Sequence, residues 1–245
     1  MSKKGLLIDV GKCIGCHGCT SACKVKNDTS KGIFWTKVSS YEKGTFPNTN
    51  EHTLPSNRCM HCEQPVCVSV CDSEALQKLQ WGPVVYDKEK CTGSGACVEA
   101  CPFQVPELDS EDIITKCNFC ADLQKAGLAP ACASICPTGA LKFGDRNSLL
   151  AEAKKRIRAS GGRYVNHIYG EYEVGGTSLL YIAPVVLKEL GFPEVGTKPL
   201  AILRSLREQM AAYGTAVIAG VAAVALGGFS WLAQRKEEIK KSRAG

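Results

Sequence analysis

Three features of this 245-residue sequence predict an α+β fold of two similar cysteine-rich modules, one inserted in the other, followed by one membrane-spanning helix. All 15 cysteines fall in four groups between residues 13 and 136, which indicates an internal repeat. Short apolar segments flank these groups, and a long uncharged segment lies near the C-terminus. The net charge of +6 is dispersed except in the tail, which argues against a nucleic-acid binder.

Secondary structure is predicted from the residues around the cysteines. Short apolar runs indicate strands at GLLIDV (5–10), PVVYD (83–87) and ALKFGD (140–145). The segment NSLLAEAKKRIRASGG predicts one amphipathic helix, capped by Asn147 or Ser148 and ended by Gly161 and Gly162. A further apolar strand is expected in the Gly-rich stretch that follows it.

The segment 209–234 carries no charged residue and is long enough to cross a bilayer as a helix. Tyr213 and Trp231 stand near its ends, where membrane helices carry aromatic belts; a buried core helix or an amphipathic partner helix is the alternative. Small residues recur on one face, where another membrane helix could pack: Ala212, Ala216 and Gly220. The predicted domains are a cysteine domain at 1–145 with 58–110 as the inserted module, a docking and linker region at 146–208, the membrane helix at 209–234 and a basic tail at 235–245.

The spacing of the cysteines favours iron–sulfur clusters. CIGCHGCTSAC (13–23) has the x2-x2-x3 spacing of ferredoxins, and Cys-Pro pairs end the third and fourth groups. Disulfides and zinc are the alternatives. Closely spaced cysteines suit one inorganic centre better than links between distant segments, and a zinc ribbon has no use for a third nearby cysteine. In the third group, KCTGSGACVEACP (90–102), Ser94 stands where the second cysteine would be.

These four groups, with CMHC-x4-C in the second and the wide gap between Cys120 and Cys132 in the fourth, resemble the four-cluster iron–sulfur (beta) subunit of membrane-bound respiratory oxidoreductases. The segment YGEYEVGGTSLLYIAP (169–184) is similar to the stretch after the clusters in the formate dehydrogenase-N beta subunit and the hydrogenase-2 iron–sulfur subunit. Both of those branches carry a single C-terminal membrane helix. The resemblance covers nearly the whole chain and implies ferredoxin-like modules.

The resemblance also implies an exchange of ligands between the cysteine groups. Cluster one would take Cys13, Cys16, Cys19 and Cys136. Cluster two would take Cys117, Cys120, Cys132 and Cys23. Cluster three would take Cys59, Cys62, Cys67 and Cys101. Cluster four would take Cys91, Cys97 and Cys71, with Ser94 at the fourth position.

Ser94 leaves three possibilities for cluster four: a 4Fe-4S cluster with a serine oxygen ligand, a 4Fe-4S cluster with water there, or a 3Fe-4S cluster. We expect 3Fe-4S, because a hydroxyl is a hard ligand while this chemistry prefers thiolate. The respiratory nitrate reductase beta subunit, a member of the family that the chain resembles, has a non-cysteine residue and a 3Fe-4S cluster at this position. The expected cofactors are therefore three 4Fe-4S clusters and one 3Fe-4S cluster; four 4Fe-4S clusters are the alternative.

Other residues near the cysteines give weaker signals. His17 and His61 lie inside cluster loops and could donate to sulfur, but we expect each to be a half-exposed loop residue. A lysine directly precedes the first cysteine of three groups: Lys12, Lys90 and Lys116. These lysines either neutralise the charge of a cluster or are ordinary solvated side chains.

The resemblance implies a non-catalytic electron-transfer subunit, and no catalytic residue set stands out in the sequence. Its partners would be a molybdenum, tungsten or nickel–iron catalytic subunit, of formate dehydrogenase or [NiFe] hydrogenase type, and an integral membrane cytochrome b or quinone-binding subunit. A free-standing membrane-anchored polyferredoxin is the alternative. Substrate, direction of electron flow and oligomeric state are left open.

Basic residues after the membrane segment predict a cytoplasmic tail, with the cluster domain on the periplasmic side of the inner membrane and the helix in contact with lipid. They are Arg235, Lys236, Lys240, Lys241 and Arg243. No secretory signal opens the sequence, so this orientation requires export together with a signal-bearing partner.

Overall fold

The central strand of the structure is the apolar segment that precedes the first cysteine. In the computed structural model, which describes residues 2–45, 47–56 and 58–201, β1 (Lys4–Asp9) is buried from Gly5 onward. It pairs antiparallel with β8 (Leu141–Asp145) and parallel with β9 (Leu179–Ile182), giving the order β8-β1-β9. A strand buried on both faces reads as a continuous apolar run, which is the pattern of GLLI (5–8) before Asp9.

The two faces of this sheet carry different layers. Because side chains alternate along a strand, Leu7, Leu180 and Ile182 face one way, and they pack under helix α6 (Arg146–Ala159). The opposite face contacts the cysteine loops through Leu6, Ile8 and Tyr181, among other side chains. One layer is therefore built without cysteines, and the other is built around them.

Short elements carry the cysteine loops. The helices are α1 (Gly18–Asn27), α2 (Val66–Ser69), α3 (Ala96–Ala100), α4 (Ala121–Lys125) and α5 (Ala131–Ser134). The strands form three antiparallel hairpins: β2 (Lys37–Thr45) with β3 (Asn48–Ser56), β4 (Leu76–Lys78) with β5 (Val84–Tyr86), and β6 (Glu107–Leu108) with β7 (Ile114–Thr115). Short 3-10 turns occupy Val10–Lys12, Glu173–Gly175 and Leu187–Leu190.

A third core lies mostly within the predicted inserted module. Val66, Cys67, Val84 and Cys97 pack together there with a few neighbouring side chains and with Ile114, which lies just beyond the predicted module boundary. The segment after Asp145 belongs to the same compact unit as the cysteine loops, which comprises residues 1–201. The boundaries of the inserted module stay a prediction.

The predicted strands before the first and third groups and after the fourth are confirmed, and so is the helix that follows Asp145. The predicted cap of that helix is wrong. Asp145 is the N-cap, and its carboxylate accepts hydrogen bonds from the backbone N–H groups of Asn147 and Ser148, each at 3.1 Å. A carboxylate satisfies two free amides and is favoured by the positive end of the helix dipole.

The predicted membrane helix, 209–234, lies outside the described residues, as does the basic tail. Among residues 2–45, 47–56 and 58–201, no helix combines the length and the apolar character that a membrane crossing needs.

Removing the side chain of Leu7, which is fully buried between β1 and α6, should destabilise the fold. We expect Leu7→Ala to cost about 2–5 kcal/mol through lost burial and the cavity left behind. Circular dichroism during heating should show a lower apparent melting temperature. Leu128→Ala, at an exposed position, is the control and should leave it unchanged. Equal melting temperatures for the two variants would contradict the packing described here.

Candidate metal centres

The predicted ligand groups are named here set one (Cys13, Cys16, Cys19 and Cys136), set two (Cys23, Cys117, Cys120 and Cys132), set three (Cys59, Cys62, Cys67 and Cys101) and set four (Cys71, Cys91 and Cys97, with Ser94). None of the 15 cysteines forms a disulfide bond. Within the described residues, no three His, Cys, Asp or Glu side chains form a group that could hold a single metal ion. A 4Fe-4S cluster makes a different demand, because each of its thiolates binds a separate iron.

Set two lines one cavity. All four of its sulfur-bearing side chains border the same enclosed space, together with Asn27, Trp35, Arg58 and Phe119. Cys23 comes from α1, which is far in sequence from the segment before α4 that holds Cys117 and Cys120 and from α5, which holds Cys132. The grouping therefore joins Cys23 to the fourth cysteine group rather than to its own.

Hydrogen-bond donors point at the sulfurs of set two. The Asn27 side-chain amide donates to Cys23 Sγ at 3.5 Å, and the Phe119 backbone N–H donates to Cys117 Sγ at 3.4 Å. Burial raises the pKa of Cys23 to about 11. Burial, followed by repulsion from the thiolates of Cys23 and Cys59, raises the pKa of Cys117 well above its ordinary value. Iron must supply the compensating positive charge if these groups are to be thiolates.

Set four lines a second cavity. Cys71, Cys91, Cys97 and Ser94 border it, with Ser73, Gly93, Gly95 and Ile114 among the other lining residues. The Ile114 backbone N–H donates to Cys91 Sγ at 3.4 Å, and a hydrogen bond of 3.6 Å joins Cys71 Sγ to the Ser73 hydroxyl. Ser94 thus borders the same space as the three thiols, at the place where a fourth would complete the set.

Set three is brought together around Cys62, whose side chain is half-buried. Burial raises the pKa of the Cys62 thiol well above its ordinary value, and repulsion from Cys59, Cys67 and Cys101 raises it further. Burial, then the nearby Cys59 thiolate, raises the pKa of Cys67 to about 12. Cys101 comes from the third sequence group, so this set also crosses between groups.

Set one lies where α1 packs against α5. Burial raises the pKa of Cys19 against the opposing charge of Arg58, and repulsion from Cys132 of set two and, less strongly, from Cys13 adds to the rise. The position that a Cβ on Gly18 would take lies 3.6 Å from Cys16 Sγ and 3.8 Å from Ile135, the residue before Cys136. Cys136 Sγ itself accepts a hydrogen bond from the Leu141 backbone N–H at 3.5 Å.

Consecutive sets are linked either by a helix that carries a cysteine of each set, within it or just beyond its end, or by a contact between their loops. Cys19 of set one and Cys23 of set two lie one turn apart on α1. In the inserted module α2 holds Cys67, with Cys71 just beyond its end, and so joins sets three and four. Sets two and three meet where the His61 ring, inside one loop, stacks on the Phe119 ring, inside the other, with centroids 4.9 Å apart. The order along the molecule is therefore one, two, three, four.

Left-handed backbone recurs inside the cysteine loops. Positive φ occurs at His17, His61, Gly93, Gly95 and Phe119, each between cysteines of one group. Alternation of right- and left-handed residues turns successive N–H groups toward a common concavity that favours anions, and iron–sulfur sites use this arrangement. The loops are thus shaped to present amides to sulfur.

The expectation of a half-exposed loop residue is wrong for His61. Its side chain is fully buried, because Nδ1 accepts a hydrogen bond from the Val84 backbone N–H at 2.9 Å and the ring stacks on Phe119. Burial, with the charges of Lys116 and Lys78, holds the pKa of His61 well below its ordinary value. The ring is therefore neutral, and Nε2 carries the proton. That N–H is buried and has no hydrogen-bond partner among the described residues.

Lys116 and Arg58 are buried too. The ammonium of Lys116 donates to the carbonyls of Val84 and Cys117, so this lysine is not an ordinary solvated one. Arg58 donates from Nη1 to Cys132 Sγ at 3.3 Å, while its Nε and Nη2 atoms are buried without a partner in the described part of the chain. The sequence signal for Arg58 was its place directly before Cys59, the same place that Lys12, Lys90 and Lys116 hold in their groups.

The donor sets fit iron–sulfur clusters. One cavity is lined by the four thiols of set two and another by the three thiols of set four with Ser94, and the unsatisfied N–H groups of Arg58 lie at the set-two cavity, where sulfur acceptors would satisfy them. A bound 4Fe-4S cluster supplies one-electron redox chemistry. The assignment of each cysteine to its cluster stays a prediction.

Comparison with known proteins also indicates an iron–sulfur protein. Residues 51–146 match the model of the 4Fe-4S dicluster domain. The hydrogenase-2 operon protein HybA of Escherichia coli O157:H7 is 34% identical over 78% of this chain and 73% of its own length. The nitrate-inducible formate dehydrogenase iron–sulfur subunit of Escherichia coli K12 is 35% identical, over 72% and 66% respectively. The thiosulfate reductase electron transfer subunit PhsB of Salmonella typhi is 44% identical, over 57% and 74%.

These geometric features and matches define an iron–sulfur electron-transfer protein. The chain belongs to the family of iron–sulfur subunits of respiratory oxidoreductases that carry a 4Fe-4S dicluster domain. It therefore carries 4Fe-4S clusters.

Replacing Cys23 or Cys120 by alanine tests whether the two share a cluster. Both line the same cavity, so we expect each variant to lose the same electron paramagnetic resonance (EPR) signal of the dithionite-reduced protein, with a matching loss of iron. Cys19→Ala, one helical turn before Cys23, should remove a different signal. The shared cavity would be irrelevant to ligation if Cys23→Ala and Cys19→Ala lost the same cluster and Cys120→Ala lost another.

Proposed function

We propose that this chain relays electrons through four clusters between a catalytic subunit, of formate dehydrogenase or nickel–iron hydrogenase type, and a quinone-reactive membrane subunit. The observation that carries the proposal is the serial arrangement of four cysteine sets, with consecutive sets joined by a helix or by the His61–Phe119 stack. The names of two relatives, a formate dehydrogenase iron–sulfur subunit and a hydrogenase-2 operon protein, support the choice of catalytic partner. The chain itself is proposed to be non-catalytic.

The proposed ligands are those of the four sets, each holding one cluster. The cavity shared by Cys23, Cys117, Cys120 and Cys132 supports the assignment for cluster two. Mutual repulsion among Cys59, Cys62, Cys67 and Cys101 supports the assignment for cluster three.

Cluster four is proposed to be 3Fe-4S. Ser94 borders the cavity of Cys71, Cys91 and Cys97, and it offers only a hydroxyl where the other loops offer sulfur. Three thiolates match a cube without one iron, and the lower negative charge of ligation raises the reduction potential. Such a cluster suits the quinone end of the relay.

The proposed location is the inner membrane, with the clusters on the periplasmic side and the C-terminus in the cytoplasm. The segment 209–234 would anchor the chain beside a cytochrome b or other quinone-binding subunit. The uncharged sequence of that segment and the basic residues after it support this orientation.

An exposed apolar patch beside cluster one is proposed to receive the catalytic subunit. Cys16 is exposed, Ile14 in the same loop is 65% exposed, and Ile135 across the gap at Gly18 is 52% exposed. Apolar side chains around an exposed ligand let a partner approach the cluster closely and exclude water.

A Ser94→Cys variant tests the cluster content. The wild-type oxidised protein should show a 3Fe-4S EPR signal and about 15 iron atoms per chain, and Ser94→Cys should abolish the signal and raise the count to about 16. Thr92→Cys, which adds a thiol in the same loop at the wrong spacing, is the control and should leave both unchanged. A wild-type count of about 16 without an oxidised signal would contradict the proposal.

Purification from detergent-solubilised membranes tests the subunit role. The tagged chain should bring down a catalytic and a membrane subunit, and the double variant Ile14→Asp with Ile135→Asp should lose most of the catalytic subunit while keeping its iron. Val25→Asp is the control, because Val25 is 84% exposed and lies near the C-terminal end of α1, outside the patch formed by Ile14 and Ile135. A wild-type chain that is stable, reducible and without partners would instead be a free-standing polyferredoxin.

A further inference from the structure

Arg58 is a buried cation without an acidic partner. Its side chain is 5% exposed, and no carboxylate forms an ion pair with it in the described part of the chain. Two cavities border it: the set-two cavity and a neighbouring one lined mostly by aromatic and aliphatic residues such as Tyr41, Phe103 and Phe192. Among the described residues that line them, neither cavity includes Asp or Glu. A buried charge requires a compensating charge close by, so sulfur is the candidate.

The contacts of Arg58 place it between sets one and two. It donates from Nη1 to Cys132 Sγ of set two at 3.3 Å, it attracts the Cys23 thiolate of set two, and it acts on Cys19 of set one both by its charge and through a side-chain hydrogen bond. Its remaining donors, on Nε and Nη2, are buried without a partner among the described residues. The guanidinium holds its proton at every accessible pH, so this charge is permanent.

We propose that Arg58 is the counter-charge of the first step of the relay: it donates its free N–H groups to sulfur of cluster two and raises that cluster's reduction potential. The inference rests on the ligand sets proposed above. Reduction adds one electron, and no proton needs to move because Arg58 stays protonated in both states. A fixed cation and N–H···S bonds both favour the more negative, reduced form.

The proposal distinguishes Arg58 from the other basic residues near the cysteines. Lys116 donates hydrogen bonds to the carbonyls of Val84 and Cys117, whereas Lys12 and Lys90 are exposed to solvent. Arg58 donates directly to a ligand sulfur, and it alone among these four also keeps unsatisfied buried donors in the described structure.

Potentiometric titration followed by EPR tests the proposal in the purified complex. Arg58→Gln should shift the signal that Cys23→Ala removes to a lower potential by at least a tenfold change in the reduction equilibrium, about 59 mV for one electron. The cluster-four signal should not move. Arg58→Lys keeps the charge but not the forked donors, and it should shift the same signal in the same direction by a smaller amount.

Arg146→Gln is the matched control. Arg146 is half-buried and donates to the backbone carbonyls of Thr177 and Gly170, so its replacement should leave every potential unchanged. An unmoved potential in an iron-replete Arg58→Gln protein would overturn the inference while leaving the four clusters standing. If the Arg58→Gln protein does not bind its full complement of iron, the Arg58→Lys protein is the test. An iron-replete Arg58→Lys protein whose cluster-two potential equals that of the wild type would overturn the inference. A wild-type protein without four clusters would refute the proposed function instead.

Discussion

The structure depends on the bond between iron and buried cysteine sulfur. Burial raises the pKa values of Cys23, Cys67 and Cys117, so without a cation these groups keep their protons. Ligation requires the thiolate, and iron supplies the positive charge that allows several thiolates to lie together inside protein. Arg58, a buried cation without a carboxylate partner in the described structure, adds a second source of positive charge beside the cysteine sulfurs.

The distribution of secondary structure follows from this constraint. The helices that hold Cys67, Cys97 and Cys132 have only four or five residues, and such short elements are not stable by themselves. Two of the three cores include buried cysteines. The third, formed by β1, β9 and α6, includes none among its described residues, and α6 extends over 14 residues with an acidic N-cap. The molecule thus combines a conventionally packed layer with a layer tied together by metal.

Local patterns in the sequence predicted the strands, the helix after Asp145 and the nature of the cysteine loops, because apolar runs and cysteine spacing act over a few residues. The burial of His61 and Arg58 could not be found in that way. It depends on Val84, Phe119 and Cys132, which the chain brings near only when it folds. The position of Arg58 before a first cysteine was visible, but its lack of an acidic partner is a property of the tertiary structure. The cap at Asp145 was missed since Asn147 and Ser148 are equally good capping residues in sequence.

Hydrogen–deuterium exchange of the iron-loaded and iron-stripped chain tests this account most directly. If iron–sulfur bonds hold the cysteine layer together, removal of iron should abolish amide protection around α2, α3 and α5, while α6 and β9 keep theirs because their core contains no cysteine among the described residues. Retained protection in the cysteine-bearing helices after complete loss of iron would contradict the account, since it would show that packing alone maintains them.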